Sequence, residues 1–130
     1  IYPLGEEGLD MRLKCFNLPT MDVPKMRDFY QTVLKASCRE FCGRCEIDAD
    51  NFTLVLTATK IPPVVHPESC GMEFLVEVVD DEYGRMLESR VTKDSPPVTY
   101  PWGFRAIGFR DPDGNHIDFV QQVGAPADDN

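Results

Sequence analysis

Apolar and polar positions along the chain run through one pattern twice. In CFNLPTMD (15–22), Phe16 and Leu18 alternate with Cys15 and Asn17, the period of a strand with one face on a core. A helix is predicted over 24–35, with Asp22 as N-cap and Pro24 in the first turn, where its missing N–H costs nothing. Met26, Phe29, Tyr30, Val33 and Leu34 then form a single apolar stripe. Three short β-prone runs follow at 36–42, 44–48 and 52–57, joined by turns at Gly43-Arg44 and Ala49-Asp50-Asn51. This completes a first βαβββ module, over 11–58.

Residues 59–70 carry three prolines and no periodicity, and read as a linker. The pattern then restarts over 71–123. EFLVEVVD (73–80) slides onto CFNLPTMD by 58 positions, which sets Glu73 on Cys15 and Phe74 on Phe16. Asp80 or Asp81 is expected to cap a helix over 82–91, with Tyr83, Met86, Leu87 and Val91 inward. Strands are predicted at 98–100, 103–110 and 115–122, with Asp111-Pro112-Asp113-Gly114 as the turn before the last. That last strand matches the first module at a slip of 63, with Ile117-Asp118-Phe119 on Leu54-Val55-Leu56. A period of this length, with one helix per copy, points to two supersecondary units in one α+β domain.

Composition narrows the chemistry. At 130 residues the chain fits one domain, and 42% hydrophobic with 27% charged residues is ordinary for a globular protein. The net charge of −9 argues against a nucleic-acid partner, which would need Lys and Arg against phosphates. No apolar run approaches the ~20 residues of a membrane span. The opening IYPLGEEGLD has neither a basic nor an apolar signal region, so a cytoplasmic location is expected. An odd set of five cysteines (Cys15, Cys38, Cys42, Cys45 and Cys70) then suggests reduced thiols. Cys38, Cys42 and Cys45 have iron–sulfur spacing, but on a strand Cys38 and Cys42 would sit about 13 Å apart. Cys42 and Cys45 are placed to face each other across the turn. His66 lies in the linker, and with Cys70 it makes only half of a zinc pattern. His116 shares a strand face with Asp118, and Trp102, between Pro101 and Gly103, is a candidate cavity wall.

Cys15 to Asp22, Phe29-Tyr30, Leu34-Lys35, Pro101-Trp102-Gly103, Phe109 to Asn115 and Ile117-Asp118 together resemble a known family, the vicinal oxygen chelate superfamily of glyoxalases, bleomycin resistance proteins and extradiol dioxygenases. The resemblance spans roughly 11–123. It implies paired βαβββ modules whose sheets curl around a cavity, and a homodimer. It also implies a small-molecule ligand, with chemistry that ranges from isomerisation and ring-cleaving oxygenation to drug binding alone. Metal-dependent members hold one divalent ion at four strand positions, which fall here on Cys15, Val55 (or Thr57 on the same face), Glu73 and Asp118. Val55 cannot ligate, and neither histidine falls on these positions. The leading expectation is therefore a protein that binds or modifies a small organic molecule without the usual metal set, and no cofactor is expected. Glu73 and Asp118 are the candidate acid–base pair, and Cys15, Asn17, Val55, Thr57, Trp102 and His116 the pocket wall. Two alternatives stand beside it. One is a divalent-metal lyase or dioxygenase that uses Cys15, Glu73 and Asp118. The other is sequestration of a cationic antibiotic without chemistry.

Overall fold

The computed structural model describes residues 11, 13–49, 52–65, 71–91 and 96–125. The chain divides between Pro63 and Val64 into two compact units. Each is a βαβββ module with its helix against one face of a four-stranded sheet.

The first unit contains β1 (Phe16–Thr20), α1 (Val23–Leu34), β2 (Ser37–Phe41), β3 (Arg44–Ala49) and β4 (Phe52–Ala58). Its sheet runs β1-β4-β3-β2, with β1 parallel to β4 and the other pairs antiparallel. The Asp22 carboxylate accepts from the Lys25 amide at 3.1 Å, so the expected cap forms, and Met26, Tyr30 and Val33 are the buried helical positions. Leu18, Leu54, Leu56, Cys45 and Ile47 are buried on the strand side. Each such side chain, fully removed from water, contributes about 1.5–3 kcal/mol.

The second unit repeats the order with β5 (Gly71–Leu75), α2 (Val79–Glu88), β6 (Val98–Thr99), β7 (Phe104–Arg110) and β8 (His116–Gln122). Its sheet runs β5-β8-β7-β6, with β5 parallel to β8. Val79 and Met86 of α2 are buried, as are Ile107, Phe109, Ile117 and Phe119. Phe119 meets Phe109 and Phe74 edge to face, at centroid distances of 5.0 and 6.1 Å.

Several expectations are corrected. The strand expected over 73–80 ends at Leu75, and the helix expected over 82–91 runs from Val79 to Glu88. Neither Asp80 nor Asp81 caps it. Instead the Val79 amide donates to Oε1 of Gln121 on β8 at 2.9 Å, and Asp80, Asp81 and Glu82 sit in the first turn, where the helix dipole favours them. Leu87 is 52% exposed rather than inward. α2 starts 56 residues after α1, so the first half of the repeat slips by 56, not 58. The first hairpin turns at Cys42-Gly43 rather than at Gly43-Arg44. Cys38 and Cys45, diagonal neighbours on β2 and β3, form a disulfide with their Cα atoms 6.6 Å apart. The expected all-reduced set and the Cys42–Cys45 pairing therefore do not hold, because Cys42 lies in the turn and is exposed. The Asp50-Asn51 turn, His66 and Cys70 lie outside the described residues. Among the described residues, no helix is long and apolar enough to cross a membrane.

A two-pronged ion pair ties α2 to its sheet. Arg105 Nε and Nη2 donate to Asp80 Oδ2 and Oδ1 at 2.8 and 2.9 Å. Hydrogen bonding from this guanidinium holds the Asp80 carboxyl below its ordinary value. A carboxylate depressed in the folded state adds stability above its unfolded pKa, and this is lost as pH falls through the folded one. Melting scans are expected to show an Arg105→Ala deficit at neutral pH that closes once Asp80 is protonated. Because the pair is exposed, the deficit should also shrink in high salt. A deficit unchanged at low pH would assign the effect to packing.

Candidate small-molecule site

The faces turned away from the helices carry the polar chemistry. In the second unit, Glu73, Tyr100, Trp102, Phe104, Ala106, Gly108, His116, Asp118 and Val120 line a hollow of about 420 Å³. Strand alternation explains the set. Ile117 and Phe119 are buried in the core, so His116, Asp118 and Val120 face the other way. By the same rule, Phe104, Ala106 and Gly108 oppose the buried Ile107 and Phe109.

Glu73 and Asp118 are register partners across the parallel β5–β8 pair, which sets them on neighbouring strands about 4.8 Å apart. His116 Nε2 lies 3.0 Å from Asp118 Oδ1. An ionised carboxylate only accepts, so the imidazole N–H donates. Their side chains are 23% and 30% exposed. Gly108 makes this pairing possible. It is the register partner of Asp118, and a Cβ there would come within 3.1 Å of His116 Cε1 and 3.2 Å of Asp118 Oδ1. The pair lies across a strand that offers no side chain in its way.

Aromatic groups supply the rest of the wall. Tyr100 and Trp102 stack at a centroid distance of 4.6 Å with planes 11° apart. Trp102 is 55% exposed and so presents a free aromatic surface. The turn that carries it is fixed by the Gly103 amide, which donates to Tyr100 O, and the Tyr100 amide, which donates to Phe104 O, at 3.1 and 2.8 Å.

The remaining predicted residues belong to the first unit. Asn17 and Val55 are register partners, and the Thr57 hydroxyl donates to Asn17 Oδ1 at 2.9 Å. Val55 is 1% exposed. Its partner on β3, Glu46, is held by Arg39 and Arg44, each at 2.9 Å. Cys15 precedes β1 and is half-buried. With the corrected slip, Asn17 rather than Cys15 is the counterpart of Glu73. The predicted set therefore divides, with Glu73, Trp102, His116 and Asp118 in one hollow and Cys15, Asn17, Val55 and Thr57 in the other unit.

These donors do not fit the divalent ion that the resemblance implies. One of the four positions is aliphatic, the counterpart of Glu73 is a carboxamide whose oxygen already accepts a bond, and Asp118 is engaged by His116. Among the described residues, no three His, Cys, Asp or Glu side chains converge so as to hold a metal. Of the alternative set, Glu73 and Asp118 share the hollow of the second unit, and Cys15 belongs to the first unit. Sequence reasoning missed Tyr100, Phe104, Ala106, Gly108 and Val120. Period-2 alternation along GFRAIGFR (103–110) carried the signal for three of them.

The fold has many solved counterparts. One is a glyoxalase/bleomycin resistance protein/dioxygenase from Nocardioides, 22% identical, with a TM-score of 0.69 over 95% of this chain and 94% of that one. The genomically encoded fosfomycin resistance protein FosX from Listeria monocytogenes is 16% identical, with a TM-score of 0.74 over 87% and 94%. Lactoylglutathione lyase from Agrobacterium tumefaciens is also 16% identical, with a TM-score of 0.69 over 85% and 92%. No curated protein matches the chain. At these identities the likeness establishes the fold, and the family rests on sequence, since the profile of the Glyoxalase/Bleomycin resistance protein/Dioxygenase superfamily matches residues 12–119. With two modules of the same topology and that match over most of its length, the chain belongs to the glyoxalase/bleomycin resistance protein/dioxygenase superfamily.

Proposed function

We propose that the protein binds a small organic molecule in the hollow of the second unit, without the divalent ion used by metal-dependent members. The observation that carries this is the juxtaposition, in one hollow, of a stacked aromatic pair with two carboxylates. An apolar or aromatic ligand body fits against Trp102 and Tyr100, and a cationic or hydrogen-bond-donating group fits toward Glu73 and Asp118. Drug sequestration is one form of this binding. The fixed His116–Asp118 pair favours a second form, in which the bound molecule also undergoes proton transfer, since an oriented imidazole is a common general acid or base. A homodimer, the state implied by the resemblance, belongs to the same proposal and is checked by sedimentation.

The chain has a single tryptophan, and it stands in the wall of the site. Intrinsic fluorescence therefore reports occupancy directly. Titration with a panel of aromatic amines is expected to give saturable quenching for some members. Glu73→Gln should weaken those members about tenfold, the loss of roughly 1.4 kcal/mol expected for one charge-assisted hydrogen bond. If binding is indifferent to Glu73→Gln and Asp118→Asn together, the carboxylate wall is not the site.

A further inference from the structure

We infer that His116 takes the place of a metal ion at Asp118, so that the carboxylate end of the hollow is closed to divalent cations and reserved for organic groups. A half-buried carboxylate needs a partner, which in a metal-dependent site is the ion. Here the partner is built in. His116 and Asp118 sit two residues apart on one strand face, with Nε2 and Oδ1 at 3.0 Å. With Nε2 donating to the carboxylate, that nitrogen has no lone pair for a metal. An ion approaching Asp118 would have to displace this donor, and among the described residues that line the hollow Glu73 is the other carboxylate left to help hold it.

The backbone accommodates the substitute. Gly108 lies beneath the pair, and any side chain there would press on His116 Cε1 and Asp118 Oδ1 at once. The glycine, the imidazole and the carboxylate thus form one clasp. In the first unit the corresponding positions are Asn17 and Val55, and neither brings a charge that would call for an ion. His116 is a positioning residue in this scheme. It fixes Asp118 and fills the space that a cation would take.

The test uses ions alone. Terbium(III), which is excited through a nearby indole, is titrated against the full chain with Trp102 as sensitiser, and manganese(II) serves as competitor. Wild type is expected to give no saturable signal. His116→Ala, which exposes both carboxylates, should gain a site with an affinity of about 0.1–1 mM, the weak end for oxygen-ligand sites. His116→Gln keeps an N–H donor for Asp118 and should behave as wild type. Adding Asp118→Asn to His116→Ala should erase the gain, which separates this site from the general attraction of ions to an acidic surface.

Saturable, one-to-one ion binding by wild type that Asp118→Asn removes would overturn the inference. So would a His116→Ala protein that melts normally and gains nothing, or a Gln variant that gains as much as the Ala variant. If His116→Ala does not fold, the wild-type and Gln titrations still decide. Because the probe is an ion, this experiment and the aromatic-amine titration can fail independently, although both rest on the same hollow.

Discussion

Replacing Gly103 by alanine is expected to cost about 3 kcal/mol and to lower the melting temperature by roughly 10 °C. Two effects add. Gly103 sits at φ +93°, in the left-handed region, where an L side chain is strained. A Cβ there would also collide with the Gly124 carbonyl oxygen and lie 3.1 Å from the Ala125 carbonyl carbon. Those atoms are backbone and cannot swing aside. They are held close because the Gly103 carbonyl accepts from the amides of Val123 and Gly124 at 2.9 and 3.3 Å. Trp102 is the preceding residue, so the Trp emission should shift with the loss of stability. Gly84 is the control. It lies within α2 with nothing inside 4 Å of an added Cβ, and alanine there should stabilise by about 0.5–1 kcal/mol. Equal effects at the two sites in urea titrations would refute the argument from local geometry.

Asp111→Ala is expected to cost about 2–3 kcal/mol, through the acceptors it removes. Asp111 is 4% exposed, and its Oδ1 accepts from the amides of Asp113 and Asn115, both at 2.9 Å. Oδ2 accepts from the Asn115 side-chain amide at 2.7 Å. Alanine leaves these three part-buried donors without their partner. The turn sets the register of β7 on β8, and that register brings Gly108 beneath His116 and Asp118. Calorimetric unfolding should show the loss, and Asp111→Asn, which keeps one oxygen, should recover part of it. A loss below about 0.5 kcal/mol would mean that water replaces the carboxylate freely.

Alternation and capping made most of the fold readable in advance. Phe16 and Leu18 against Asn17, the stripe from Met26 to Val33, and the DPDG turn are local signals, and local signals survive without coordinates. The second helix was misplaced because its start is set by a distant partner. Gln121 binds the Val79 amide from another strand, and no pattern around Val79 announces it. The slip of 58 failed for the same reason, since β5 ends early once the helix begins at Val79. The site was partly legible. Glu73 and Asp118 follow from the resemblance, His116 from its strand face and Trp102 from its place between Pro101 and Gly103, and the structure sets all four in one hollow. The role of Gly108 was not legible, because it depends on which residue of β8 lies opposite. Likewise, Cys38 and Cys45 meet through hairpin register, not through spacing.

The parallel pairing of β5 with β8 has a consequence for synthesis. In each unit the first strand waits for a central strand made later, β1 some 38 residues for β4 and β5 some 45 residues for β8. At roughly 5–20 residues per second, that leaves several seconds in which β5 has no neighbour and its apolar Phe74 no cover. A nascent chain arrested before His116 would carry one finished sheet and one unprotected strand, the species a chaperone would be expected to hold.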